Sequence, residues 1–197
     1  MLSSIALMIS AQSEDDTRYT SDSIIKLVVI GAGGTGKSSL IHRFVTGSYD
    51  DMIPPTMFSN VTCMKFIIDP FIQVFSIFEL ACRKCTHPDQ IDRYAYGGDA
   101  YAIVVSLVDQ ESMNDVTRFN EIVKNACPDT TGILIGTMFD ALDHPEAAIA
   151  DIKVLSSKLG MPAILTSART NFNVDIAMTT LALLAFNKAG IEIRRST

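Results

Sequence analysis

Two kinds of apolar run alternate along this chain. Short, nearly unbroken, β-branched runs suit strands buried on both faces: IIKLVVIG (24–31), YAIVVSLVD (101–109) and GILIGTMFD (132–140). Elsewhere the apolar residues thin out to helical spacing. Leu40, Ile41, Phe44 and Val45 do so within KSSLIHRFVTG, which Gly47 closes. Residues 112–126, 145–159 and 174–187 repeat the pattern. FSNVTCMKFII and IQVFSIF flank Asp69-Pro70 and read as an antiparallel pair with a short connection. PAILTSA (162–168) supplies a last strand, and 48–57, around Pro54-Pro55, is a loop. Strands alternating with helices predict an α/β fold: a six-stranded, mostly parallel sheet with one antiparallel strand and helices on both faces. There is no internal repeat. In such sheets ligands gather at the carboxyl ends of the strands, so the residues following each strand are the candidates for chemistry.

Composition narrows the class. A chain of 197 residues with 48% hydrophobic residues fills one α/β core with tails to spare. The expected division is a disordered leader at 1–23, a domain at 24–189 and a short tail at 190–197. A net charge of −6 argues against nucleic-acid binding by a broadly basic surface. The four cysteines, Cys63, Cys82, Cys85 and Cys127, are scattered and unlike a disulfide framework, which points to a reducing compartment. No apolar run reaches the roughly 18 residues of a membrane span. The mildly apolar MLSSIALMISA at the start has the look of a secretory h-region but lacks its positive n-region, the first arginine being Arg18. A disordered leader is the simpler expectation.

After the first strand comes Gly31-Ala32-Gly33-Gly34-Thr35-Gly36-Lys37-Ser38, the pattern G-x-x-x-x-G-K-[ST] in a strand-to-helix setting. Glycines let backbone N–H groups wrap an anionic phosphate, and the helix start adds partial positive charge. Lys37 reaches the β- and γ-phosphates, and the Ser38 hydroxyl can ligate Mg²⁺, a hard cation that takes oxygen ligands. The competing reading is a glycine-rich turn with a solvated lysine; the flanking strand and helix favour phosphate.

From Lys26 to about Asn187 the chain resembles a small GTPase of the Ras superfamily. KLVVIGAGGTGKSSLIHRF is similar to that family's opening segment, and three further pieces follow in the family's order. FSIFEL, LIGTMFD and TSARTNFNV look most like the fungal septation and mitotic-exit GTPases. The resemblance implies GTP or GDP with Mg²⁺ as ligands, the loop from Gly31 through Ser39 holding the phosphates, and Thr56 sensing the γ-phosphate. Thr56 lies 18 positions after Ser38, the family's spacing, and follows Pro55. A hydroxyl there ligates Mg²⁺, and loss of the γ-phosphate releases the loop. Otherwise it is an ordinary loop threonine.

The guanine motif is half-kept. Asp140 can accept hydrogen bonds from guanine N1–H and the exocyclic amine, a donor pair adenine lacks. Its alternative role is a cap or turn carboxylate. Thr137 stands for the family's asparagine, or for the threonine of the septation-like subgroup, and Met138 stands for its lysine. Thr166-Ser167-Ala168, with Arg169 following, matches the last motif, where backbone N–H groups near Ser167 and Ala168 would meet guanine O6.

The third motif has drifted furthest. Where the family reads Asp-x-x-Gly-Gln, this chain has Glu79-Leu80-Ala81-Cys82-Arg83. Glu79 keeps a carboxylate, one methylene longer, able to hold Mg²⁺ through a water or to crowd that water out. Cys82 replaces a flexible glycine. Arg83 replaces the glutamine that positions the attacking water; a guanidinium has only donors and accepts no proton, although it can stabilise γ-phosphate charge. Weak intrinsic hydrolysis is expected. The alternatives are a non-catalytic interaction protein, holding GTP permanently or nothing, and a P-loop ATP-using kinase, which would want an arginine-rich lid that is not evident. Cys82-Arg83-Lys84-Cys85 is also C-x-x-C with His87 nearby, but a zinc site needs about four ligands and a redox motif a different fold context. Two thiols in a drifted loop is the plainer account.

With EIRRST at the end and Leu2 after the first methionine, no prenyl or myristoyl signal is read. The expected protein is a cytoplasmic monomer that meets protein effectors, GTPase-activating factors and exchange factors, with no lipid anchor. In the septation-like subgroup those partners would be a scaffold, an activating complex and a kinase.

Overall fold

The structure, a computed structural model, describes residues 19–56, 59–68, 71–82 and 88–188. Its centre is a six-stranded sheet in the order β2-β3-β1-β4-β5-β6. β1 (Tyr19–Ala32) pairs in parallel with β3 (Phe71–Cys82) on one side and β4 (Ala100–Ser106) on the other. β5 (Thr131–Thr137) and β6 (Ala163–Leu165) continue the parallel ladder, while β2 (Ser59–Ile68) runs antiparallel along β3 as the edge. The expected mostly parallel sheet with one reversed strand is therefore present.

The period-two alternation of the strands divides the core in two. On one face Ile25, Leu27, Val29, Ala100, Ala102, Val104, Ile133 and Ile135 pack against α1 (Lys37–Thr46) and α6 (Val174–Lys188). Alanines at two β4 positions leave room for α6, whose Leu181, Ala182, Ala185 and Phe186 are buried there. The other face carries Val28, Ile30, Tyr101, Ile103, Val105 and Leu134. They meet α2 (Pro88–Ala95), α3 (Gln110–Asn114), α4 (Val116–Ala126) and α5 (Glu146–Leu159) through Ile91, Met113, Phe119, Val123 and Ile152.

Three details depart from the sequence reading. β1 begins at Tyr19 rather than at residue 24, with a register irregularity between Thr20 and Ile24 where it runs beside β3. The helix read as continuous over 112–126 is two, because Asp109 caps an earlier start by accepting from the Glu111 amide, and the chain turns at Asp115. α2 was not foreseen at all. Among the described residues no helix is long and apolar enough to cross a membrane.

Tyr101 sits inside the second core layer with its hydroxyl donating to Asn120 Oδ1 at 2.6 Å. Burial pushes this hydroxyl from its ordinary value of 10.0 up to about 12. The folded state thus keeps its proton longer than the unfolded chain. The associated stability is full below pH 10 and lost as pH rises towards about 12. Urea unfolding at a series of alkaline pH values should show this decline, and Tyr101→Phe should flatten it even if its baseline is lower. An unchanged slope in the variant would count against Tyr101 as its source.

Candidate functional site

The carboxyl end of β1 runs into a turn of glycines and then directly into α1. Gly34 and Gly36 have φ of 82° and 79°, left-handed values that cost a side chain dearly. Gly36 is also the N-cap of α1, which has no side-chain cap and no acidic residue in its first turn. A helix start with no side-chain cap and no acidic residue is the setting that favours an external anion. Gly31 is constrained differently: a Cβ there would lie 2.2 Å from the Val104 carbonyl oxygen of β4.

Lys37 folds back over the loop. Its ammonium donates to the carbonyls of Gly31 (3.0 Å) and Ala32 (2.7 Å), with Thr35 Oγ1 at 3.4 Å, and the residue is only 4% exposed. A cleft of about 400 Å³ opens beside it, lined by Gly33, Gly34, Ser38, Ser39, Thr56 and Met138 among others.

At the floor of that cleft three oxygens converge. Ser38 Oγ lies 2.8 Å from Thr56 Oγ1 and donates to Glu79 Oε1 at 2.5 Å; Thr56 Oγ1 donates to the same Glu79 oxygen at 3.1 Å. Glu79 is 3% exposed, delivered there by the end of β3 alongside Val29 of β1. All three donors are hard oxygens, the chemistry Mg²⁺ prefers. Neighbouring ligands in a Mg²⁺ octahedron with bonds of about 2.1 Å lie about 3 Å apart, so the spacing also fits the ion.

Thr137, at the end of β5, does a job the sequence did not show. Its one hydroxyl proton is shared between the Thr35 carbonyl (2.6 Å) and the Val105 carbonyl (3.0 Å), tying the glycine loop to β4 and β5. The next residue, Met138, has φ 60°, and its sulfur accepts from Ser106 Oγ at 3.4 Å. Asp140 follows on an exposed 3-10 turn, Phe139–Ala141. Its carboxylate has no hydrogen-bond partner among the described residues. The Phe139 amide donates to the Thr166 carbonyl at 3.1 Å, and Phe139 stacks on Phe172 at 5.3 Å. The Asp140 turn is thus joined to the 166–169 loop.

In that loop, the sequence expectation needs trimming. Ser167 exchanges backbone hydrogen bonds with Phe172 at 3.0 Å in both directions, and its hydroxyl accepts from the Thr170 amide. Its own N–H is therefore committed, and Ser167 shapes the turn. The Ala168 amide has no partner among the described residues. Arg169 points its guanidinium to Asp51 at 3.0 Å on the surface, and this contact holds the Asp51 carboxyl below its ordinary range. Its backbone carbonyl instead faces α1: Arg43 donates to Ala168 O at 2.6 Å and Arg169 O at 2.7 Å. Arg43, 125 positions from Ala168, carried no motif that could have flagged it. Arg83, Cys85 and His87 lie outside the described residues, as do the side chains of Ala81 and Cys82, the first and last segments and the chain's basic end.

The comparisons agree with this geometry. The family model described as the Ras family matches residues 26–186. A curated relative, "Ras-like protein RAS2" of Hydra vulgaris, is 28% identical over 171 residues, spanning 85% of this chain and 88% of the relative. The family match begins at Lys26 within β1 and ends in the last turns of α6, enclosing β2 to β6 and every loop of the cleft, so the chain belongs to the Ras family.

Proposed function

We propose that this protein is a guanine-nucleotide-binding switch with slow intrinsic hydrolysis. The observation that carries the reading is the meeting of Lys37, the uncapped start of α1, Ser38 and Thr56 in one cleft. The loop from Gly31 to Ser39 takes the phosphates of GTP or GDP. Bound Mg²⁺ would neutralise part of the phosphate charge. Ser38 and Thr56 hold the ion, and the backbone before β2 follows the γ-phosphate through Thr56. Asp140 and the Ala168 amide read the base, with Met138 packing against its face. Ser167 supports that loop without using its own amide on guanine.

Slow hydrolysis rests on the sequence between Glu79 and Arg83, where the water-positioning glutamine is replaced by a group with no acceptor. Effectors and regulators are proteins, met in the cytoplasm by a monomer. The likeness of FSIFEL, LIGTMFD and TSARTNFNV to the septation GTPases supports a place in cell-division signalling, and only those segments do.

Denaturing natively purified protein and identifying the released nucleotide tests the core reading. GTP is expected to predominate, and single-turnover hydrolysis should fall well below the intrinsic rate of about 10⁻⁴ s⁻¹ seen in Ras. GDP together with an ordinary rate would remove the slow-hydrolysis claim. Released ATP or ADP would favour the kinase class, and no nucleotide would favour an empty scaffold. Base reading is tested separately: Asp140→Ala should reduce the preference for GTP over ATP by about 100-fold or more in competition titrations, because a buried donor pair left unmatched discriminates strongly. A preference unchanged by the substitution would assign Asp140 to the turn alone.

A further inference from the structure

Building on the switch reading, we propose that Glu79 binds the divalent cation directly, completing with Ser38 and Thr56 one triangular face of its coordination shell. A single carboxylate oxygen, Glu79 Oε1, meets both hydroxyls, at 2.5 and 3.1 Å, and the hydroxyl oxygens are 2.8 Å from each other. A triangle with these sides matches three mutually adjacent ligands of a Mg²⁺ octahedron, whose edges are about 3 Å.

The residue type explains why this chain can close it. Glu79 occupies a fixed register, opposite Val29 of β1 and Asn60 of β2, with hydrogen-bonded strands on both sides. The backbone therefore cannot retreat to absorb a longer side chain. An aspartate at this position would end one methylene short. The glutamate extends that far further towards Ser38, into space that an intervening water would need. Its burial, at 3% exposed, also leaves little bulk solvent to compete for the carboxylate.

The arithmetic of the shell makes the proposal measurable. Mg²⁺ takes six ligands in near-octahedral geometry. Three protein oxygens and one oxygen from each of the β- and γ-phosphates leave one place for water. If Glu79 stood behind a water, two would be left. Mn²⁺ replaces Mg²⁺ as a paramagnetic probe, and broadening of its resonance in ¹⁷O-enriched water counts the bound waters. The sample is the full chain loaded with Mn²⁺ and a non-hydrolysable GTP analogue. One water is expected in the native protein and two in Glu79→Asp, whose shorter carboxylate withdraws behind a water.

Two waters in the native protein, with the analogue bound, would overturn direct ligation and leave the switch reading intact. So would an equal count in native protein and Glu79→Asp. Glu79→Gln, which keeps the shape and removes the charge, should weaken Mn²⁺ binding by about tenfold or more in the same loaded state; unchanged affinity would likewise overturn the proposal and leave Glu79 as a hydrogen-bonded latch. Failure of the native chain to bind the analogue, seen in a separate fluorescence titration, would overturn the switch reading and this one together.

Discussion

Lys37→Ala should lower the affinity for GTP by about two to four orders of magnitude. Two charge-assisted hydrogen bonds to phosphate oxygens contribute about 1.5–3 kcal/mol each, and each 1.4 kcal/mol is about a factor of ten. Few other substitutions in the cleft remove so much. The ammonium is held over the loop by the Gly31 and Ala32 carbonyls rather than waving in solvent, and would exchange those bonds for phosphate oxygens. Little ordering entropy is therefore left to lose on binding. The same contacts mean that the variant strands two carbonyl acceptors, and a modest loss of stability, about 1–3 kcal/mol, should accompany the loss of binding. Titration with a fluorescent GTP analogue at a temperature well below the variant's melting point separates the two effects. An affinity within tenfold of the native value would mean that Lys37 is a structural clamp for the loop and not a phosphate ligand.

The largest stability effect is expected from Gly31→Ala. The added methyl would sit 2.2 Å from the Val104 carbonyl oxygen and 3.2 Å from its carbon. Those are backbone atoms of β4, itself hydrogen-bonded to β1 and β5. Relief requires parting two central strands, so the cost should reach about 3 kcal/mol or more, the upper end for overpacking. For a chain of this size that corresponds to a fall in melting temperature of roughly 10 °C. Gly33→Ala is the natural control. A Cβ at Gly33 meets nothing within 4 Å and its φ lies outside the left-handed region, so the melting temperature should change by at most about 2 °C. Equal melting points for the two variants would show that β1 and β4 can separate at no great cost. This pair also distinguishes two uses of glycine that the loop motif runs together: Gly31 is demanded by the sheet, and Gly36 by the turn into α1.

What the sequence disclosed followed from signals that are local. β1, β4 and β5 were visible because strands buried on both faces must be continuously apolar. The glycine loop was visible because its spacing encodes a turn and a helix start in consecutive residues. What stayed hidden depended on partners far along the chain. The opening of β1, YTSDS, has no apolar pattern, and its strand character comes from running beside Phe71 and Ile72 of β3. α2 presents only Ile91 and Ala95 to the core among its described side chains, too few to register as a period. The break at Asp115 arises from a cap six residues earlier. In the cleft, the spacing between Ser38 and Thr56 corresponds to two hydroxyls that meet at 2.8 Å, but three other arrangements needed geometry. Thr137 proved to be a tie between loop and sheet, Ser167 a turn former with its amide already used, and Arg43 a clamp no linear motif could announce.

Arg43 has a consequence for how the cleft measures its ligand. The helix that begins at the glycine loop holds, just under two turns later, the backbone of the 166–169 loop by two short bonds. An α-helix is stiff, with a rise of about 1.5 Å per residue. The glycine loop and the 166–169 loop are thereby fastened to one rod, and neither can drift without dragging the other. On the switch reading proposed above, α1 would act as a caliper, setting the distance between the two ends of the ligand.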